Sequence, residues 1–300
     1  MKVMITGAFG FLGRRLITEL EERGHDLLLL DQSAPEEATL YGRDFTEKIK
    51  CPVITKWPHV KAGITDADAV VRAMQGRDAV IHLAAIPSGY PEQGLDIMRV
   101  NVTGTYNILD AARLAGVSRA VCASSINAFG TFYWRLSGKP VEYKSMPLDE
   151  TFDPVPEDPY SLSKLCNELT CAAFSRAYGL TTAALRFAGV WNPDKYTQAR
   201  ANALPPTKAW SDDLYQWVHI ADIATGIRQA LEEPTLPTFG VYTLAAADTQ
   251  CPEDTMELLE KFRPGLARNL TAPLPGRTGL LSIRKARETF GYAPKYRLGP

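Results

Sequence analysis

A short apolar strand that runs straight into three spaced glycines and then into an amphipathic helix is compatible with few folds. Residues 3–6 lead into Gly7, Gly10 and Gly13, and apolar positions at helical spacing follow over residues 11–23. Glycine at these places permits a tight strand-to-helix turn, lets the backbone approach a pyrophosphate and lets helix and strand pack closely. The helix N-terminus adds free N–H groups and a dipole that favours phosphate. The turn, with Phe9, Phe11 and Leu12 between its glycines, therefore points to the first βα unit of a dinucleotide-binding sheet.

Beyond it, short apolar runs at residues 27–30, 79–83, 120–123 and 182–187 alternate with helical patterns at 66–74, 97–115 and 160–178. That alternation predicts an α/β fold, a Rossmann-type doubly wound parallel sheet. The unbroken apolar runs at 27–30 and 79–83 suit strands buried on both faces. Residues 32–58 show little periodicity, and residues 131–159 combine several prolines with Phe132, Tyr133, Trp134 and Tyr143. A loop that long is more often functional than idle. Past residue 190 the pattern is broken by prolines, apart from a helix at 220–231 and a strand at 241–244. The expected division is residues 1–189 as the dinucleotide-binding domain, with 217–232 returning to it, and 190–300 as a small C-terminal substrate-binding cap.

Asp31 closes the second apolar run 18 residues past Gly13, where a carboxylate accepts hydrogen bonds from a ribose 2′-OH. No Arg or Lys occurs within residues 32–40 to welcome a 2′-phosphate, so the expected cofactor is NAD rather than NADP. Tyr160 and Lys164 lie four apart, on one face of one helix. A phenol of ordinary pKa ~10 is a poor base at neutral pH, and a neighbouring cation favours the phenolate. Such a pair can move a proton to or from an alcohol while a nicotinamide moves the hydride. Ser125 ends the strand at 120–123, on the carboxyl edge where ligands of a doubly wound sheet bind, and can hold a carbonyl beside Tyr160. Ser124 reads instead as a turn residue bonded to its own backbone.

A net charge of −1 gives no reason to expect nucleic acid or an anionic membrane as partner. No run reaches the ~20 apolar residues of a membrane helix, and the opening apolar run is too short for a secretion signal. Five cysteines without a CxxC pair or Cys/His cluster read as free thiols in a reducing compartment, with no metal site. A cytoplasmic enzyme is expected.

Several further segments, with those above, resemble one family. They are residues 6–13 (TGAFGFLG), Asp31, residues 82–85 (HLAA), 101–105 (NVTGT), 123–125 (ASS), 160–164 (YSLSK), 185–193 (LRFAGVWNP) and 217–224 (WVHIADIA). Together they make the chain similar to the extended short-chain dehydrogenases/reductases, also called the NAD-dependent epimerase/dehydratase family, from Met1 to about Leu231. The resemblance implies Ser125, Tyr160 and Lys164 as catalytic residues. It also implies Gly7, Gly10 and Gly13 on the pyrophosphate, Asp31 with Gln32 on the adenosine ribose, and Ile64 beside the adenine. Leu83, Ala84 and Ala85 would line the dinucleotide, Asn101 would support the site, Lys164 would also bind the nicotinamide ribose, and Phe187 would lie near the nicotinamide. His82 and His219 are structural in this pattern. A homodimer paired through the helices near 97–115 and 160–178 is implied as well.

Only residues 194–216 separate Pro193 from Trp217, short for gripping a nucleoside diphosphate. In outline the chain therefore resembles uronate dehydrogenases and related sugar dehydrogenases. It departs from them in carrying Ile126 before Asn127, in Phe187-Ala188-Gly189, and in the aromatic segment 132–135, which is either a lid over a bulkier or less polar substrate or a packed surface loop. Gly63 departs from the family's acidic residue before Ile64. The expected substrate contacts are Ser88, Ser125, Asn127, Tyr133 and Arg135, with Lys139, Lys195 and Arg200 as further candidates for a carboxylate clamp. The expected reaction is hydride exchange between NAD and a hydroxyl or carbonyl of a small sugar, sugar acid or polyol-type molecule. An NAD-retaining epimerase of a sugar or nucleotide sugar and a non-catalytic dinucleotide-binding regulator are the alternatives.

Overall fold

The structure, a computed structural model, describes residues 1–42 and 47–299. Seven strands form its central sheet: β1 (Lys2–Thr6), β2 (Asp26–Asp31), β3 (His59–Lys61), β4 (Ala79–His82), β5 (Arg119–Ser125), β6 (Thr181–Phe187) and β7 (Phe239–Leu244). Their spatial order is 3-2-1-4-5-6-7, and every neighbouring pair is parallel. The order reverses between β1 and β4, which makes their carboxyl ends the crevice where such sheets bind ligands. Register brings Thr6 beside His82 and Ser125 beside Phe187 at that edge.

Each inner strand is apolar on both faces because both are covered. Val3 and Ile5 of β1 join the core beneath α1 (Phe11–Glu21) and α6 (Ile220–Glu232), whereas Met4 between them joins the core beneath α3 (Gly104–Leu114) and α4 (Pro159–Tyr178). That split follows from the two-residue period of a strand. α2 (Ala67–Met74) covers the second face near the sheet edge, with Asp66 accepting from the Ala69 N–H to cap it. α1 and α6 are further tied by Arg228, which donates to Glu19 at 2.9 Å.

Three differences from the periodicity reading have physical causes. The helical pattern at 97–115 is interrupted: a turn at Gly94–Ile97 and a widened π turn at Met98–Thr103 precede α3. Asn101 sits in the π turn and bonds outside its own helix, to Ile86 and Ser163. β3 is only three residues long, too short for its alternation to register. β7, within residues expected to belong to the cap, is the outermost strand of the main sheet, paired with β6.

The remaining C-terminal segments gather above the carboxyl edge. Val190–Trp191 pairs with Val218–His219, and Trp191 packs on Trp217 at 5.0 Å between ring centres. Around them lie α5 (Pro193–Ala201), α7 (Thr255–Phe262) and α8 (Arg284–Phe290). His219 is buried, stacks on Tyr296 and accepts from the Ala221 N–H, the structural role expected of it. The loop after β5 is laid along this layer by bridges between Met146 and Leu270 and between Leu148 and Leu281. Among the described residues, no helix is long and apolar enough to cross a membrane.

Candidate active site

The glycine-rich turn is shaped by contacts that leave no room for side chains. Gly7 has a left-handed φ of +65°, and a Cβ there would lie 2.7 Å from the Ala84 nitrogen. A Cβ on Gly13 would lie 2.5 Å from the carbonyl oxygens of Gly7 and Ala8. The α1 N-cap, Gly10, offers no side chain to the first N–H groups of the helix, and Phe11 is exposed. These N–H groups, at the positive end of a helix dipole, fit a pyrophosphate. Asp31 stands at the rim: its carboxylate accepts from the Phe9 N–H at 3.0 Å and the Ser33 N–H at 3.2 Å. Gln32 beside it is exposed. Arg14, which sequence reasoning missed, donates to the Phe9 carbonyl at 2.7 Å and to the Cys51 sulfur at 2.9 Å, tying the turn to the segment after residue 47.

The other expected dinucleotide residues fall around the same edge. Leu83, Ala84 and Ala85 follow β4 and are half-buried. The Ile64 side chain is buried against Gly104, where a Cβ would lie 2.4 Å from its Cδ1. Phe187 ends β6 beside Ser125. Asn101 is fully buried; its amide accepts from the Ile86 N–H at 2.8 Å and donates to the Ile86 carbonyl and the Ser163 hydroxyl. It thus braces the loop after β4 against α4. His82 serves similarly. The Thr105 hydroxyl donates to the Asn101 carbonyl, so it accepts from His82 Nε2 at 3.0 Å, leaving Nδ1 to accept from Thr6 at 2.7 Å. Burial, helped by the Lys164 charge, holds the imidazole down to about 3, so it is neutral and structural.

α4 begins where it must to aim Tyr160 at this edge. Asp158 caps it, accepting from the Tyr160 and Ser161 N–H groups at 2.9 Å each, and Pro159 fills the first helical position. Tyr160 then comes close to Ser125, which acts to lower its phenol and whose hydroxyl accepts from the Asn127 N–H at 3.1 Å. One turn on, the Lys164 ammonium lies 5.5 Å from the centre of the Tyr160 ring and donates to the Ala123 carbonyl at 2.9 Å. The three expected catalytic side chains therefore converge.

Their electrostatics differ from expectation. Lys164 was expected to lower the phenol; instead burial pushes Tyr160 up to about 12, against the opposing effect of Ser125. Burial likewise pulls Lys164 down to about 8, although Cys122 and Glu168 oppose it. The ammonium serves the Ala123 carbonyl and the ring face, so exclusion of water decides both values.

Ser124 also differs. It donates at 2.6 Å to Glu168, itself held by both arms of Arg186 at 2.8 Å, with Arg186 lying 4.2 Å over the Phe129 ring. This buried pair, which no motif announced, joins α4 to the ends of β5 and β6.

The expected substrate contacts scatter. Ser88 is fully buried and accepts from the Tyr90 N–H at 3.4 Å, and Asn127 is buried beneath Ser125. Tyr133 is exposed, its hydroxyl accepting from Gln216 at 3.3 Å. Arg135 does not face the site as a free clamp: it donates to the Gly130 carbonyl at 2.8 Å and pairs with Glu157 at 2.9 Å, because its own loop folds around it. Arg200 donates to the carbonyls of Leu298 and Gly299, Lys195 lies 4.2 Å over Trp191, and Lys139 is on the exposed loop. What meets Tyr160 is Trp134, with ring centres 5.8 Å apart and edge to face. Trp134 also packs on Tyr90 at 6.3 Å and lies over Gly89. Its only signal in the sequence was its place in an aromatic run.

Comparison with known proteins places this geometry among relatives. The model of the NAD dependent epimerase/dehydratase family matches residues 3–245. A UDP-glucose 4-epimerase of Mycolicibacterium smegmatis is 31% identical over 198 residues, covering 64% of this chain and 57% of that protein. A 3 beta-hydroxysteroid dehydrogenase/Delta 5-->4-isomerase of Mycobacterium tuberculosis is 30% identical over 205 residues, 66% of this chain and 50% of that protein. The matched part of this chain thus spans about half the length of these relatives. Among solved structures, MoeE5 in complex with UDP-glucuronic acid and NAD is similar, with a TM-score of 0.68 and 22% identity over 99% of this chain and 95% of that one.

Proposed function

The chain belongs to the NAD-dependent epimerase/dehydratase family, and from that premise we propose that it is an oxidoreductase exchanging hydride between NAD and a hydroxyl or carbonyl of a small substrate, with Tyr160 moving the proton. NAD is the family's cofactor; when bound it supplies the hydride donor or acceptor. The observation that carries the reading is the convergence of three side chains at the sheet's carboxyl edge: Ser125 at the end of its strand, Tyr160 at the capped start of α4, and Lys164 one turn along the same helix, 5.5 Å from the Tyr160 ring centre.

Gly7, Gly10, Gly13 and the start of α1 hold the pyrophosphate, and Asp31 takes the adenosine ribose. Ile64, Leu83, Ala84 and Ala85 line the dinucleotide, Phe187 flanks its nicotinamide, and Lys164 serves the nicotinamide ribose. Ser125 donates to the substrate oxygen and Tyr160 exchanges its proton. With its phenol held at about 12, Tyr160 carries that proton at neutral pH and is set to act as an acid toward a carbonyl. In the opposite direction the phenol must release the proton, which a Lys164 ammonium turned toward its oxygen favours. A homodimer pairing through α3 and α4 is supported by the exposed Leu114, Leu169 and Tyr178, and the free cysteines support a cytoplasmic setting.

The test is incubation with NAD and a panel of alcohols, sugars and carbonyls, reading NADH. Tyr160→Phe is expected to lower turnover by about 10²-fold or more while NAD affinity stays unchanged. Silence across the panel overturns the reading. A second reading, an epimerase that retains NAD, is favoured by the mycobacterial UDP-glucose 4-epimerase among the relatives. It predicts product without released NADH and cofactor that survives purification. Indifference of every assay to Tyr160→Phe would leave a regulator without turnover.

A further inference from the structure

We propose that Trp134 is the specificity-determining wall of the substrate site, and that it selects an uncharged, ring-bearing alcohol or ketone over a nucleoside diphosphate sugar or a sugar acid; the proposal rests on the hydride-transfer reading above and names its substrate class.

Three observations carry it. First, the Trp134 indole stands edge to face against the Tyr160 ring at 5.8 Å, which makes it an immediate neighbour of the proton-transferring side chain. Second, the indole is set in place from several sides. Tyr90 packs on it at 6.3 Å, Tyr133 at 6.0 Å, and Gly89 lies directly under it, where a Cβ would come within 2.3 Å of the indole. Gly89 and Trp134 are therefore a matched pair: only glycine lets the indole settle so close to the loop after β4. Tyr133 adopts φ +39°, a left-handed conformation unusual for a side chain of its size, and the turn places Trp134 over Tyr160.

Third, three of the four cations considered as carboxylate clamps are held elsewhere, and the fourth, Lys139, lies on the exposed loop. Arg135 is bound by Glu157 and the Gly130 carbonyl, Arg200 by the carbonyls of Leu298 and Gly299, and Lys195 lies over Trp191. Diphosphates and carboxylates are recognised by charge-assisted hydrogen bonds from such groups. An aromatic face recognises instead the apolar face of a ring, while Ser125 and Tyr160 supply the few polar contacts that orient it.

The experiment uses the full chain with NAD and four probes: cyclohexanol and galactose as uncharged rings, glucuronate as a sugar acid, and UDP-glucose. NADH formation is followed, and probe binding is measured independently by calorimetry. The wild type is expected to react with and bind an uncharged ring in preference to glucuronate and UDP-glucose. Trp134→Ala should weaken that binding and kcat/KM by about tenfold, the loss of one well-placed aromatic contact. Trp134→Phe should stay within about threefold, and Gly89→Ala, which displaces the indole, should reproduce part of the alanine effect with NAD affinity unchanged. Preference for UDP-glucose or glucuronate, indifference to Trp134→Ala, or no binding of either uncharged ring overturns the proposal. Trp134-dependent binding without NADH formation sinks the hydride-transfer reading and leaves the wall standing. Turnover of UDP-glucose unaffected by Trp134→Ala does the reverse.

Discussion

Lys164 is an ammonium buried where water cannot solvate it, and its effect on stability can be measured. Burial lowers it from 10.5 to about 8 in the folded, cofactor-free protein. The unfolded chain therefore binds more protons than the native one between these values. Stability carried by this group rises with pH across that window, and the full penalty of the buried charge is present below pH 8. Integrating the two titrations from pH 7 to pH 9.5 gives a gain of about 2 kcal/mol out of a total penalty of about 3 kcal/mol. Other groups oppose this in the same range. The buried thiols of Cys171 and Cys251 are raised, the latter to about 11, so their contribution falls as pH rises above the ordinary thiol value. The measurement is accordingly a difference. Urea unfolding of the wild type and of Lys164→Met is compared at pH 7 and pH 9.5, both without NAD. The variant lacks the buried charge, so its stability relative to the wild type should decline by about 2 kcal/mol between the two pH values. A difference that stays constant with pH would refute the reasoning, since a lost hydrogen bond to the Ala123 carbonyl alone has no such dependence.

Gly13→Ala places a methyl group 2.5 Å from two carbonyl oxygens; it is expected to weaken NAD binding more than tenfold and to cost about 1–3 kcal/mol of stability, both readable by titration and denaturation. Arg186→Met leaves the Glu168 carboxylate buried without its bidentate partner and should destabilise by about 3–5 kcal/mol. Adding Glu168→Leu should recover part of that loss, and failure to recover any would show that packing rather than charge dominates there. Asp31→Ala removes the acceptor for the Phe9 N–H and, on the proposed reading, for the adenosine ribose; the dissociation constant of NAD should rise while that of a nicotinamide nucleotide lacking the adenosine half stays as it was.

The most legible parts of the chain were those whose geometry is local. Three glycines between a strand and a helix describe their own turn, and Tyr160 and Lys164 share a helix face whatever surrounds them. The place of Asp31 at the end of the second strand followed from its distance along a single βα unit. Less legible were elements defined by contacts distant in sequence. β3 is too short to show alternation and exists because β2 offers a free edge. The break in the helix at residues 98–103 answers to Asn101 reaching Ile86 and Ser163. Ser124 looked like a turn residue because nothing near it in the chain announces Glu168, 44 positions away.

From its sequence alone the fold class, the strand–glycine–helix turn and the sharing of one helix face by Tyr160 and Lys164 were determined, because periodicity and spacing encode which residues share a face over a few turns. Only the tertiary structure decided what surrounds that set: that Arg135 is held by its own loop, that Trp134 packs edge to face on Tyr160, and that burial sets the phenol and the ammonium. Those outcomes depend on side chains brought together across dozens of positions, where exclusion of water rather than order along the chain fixes the chemistry.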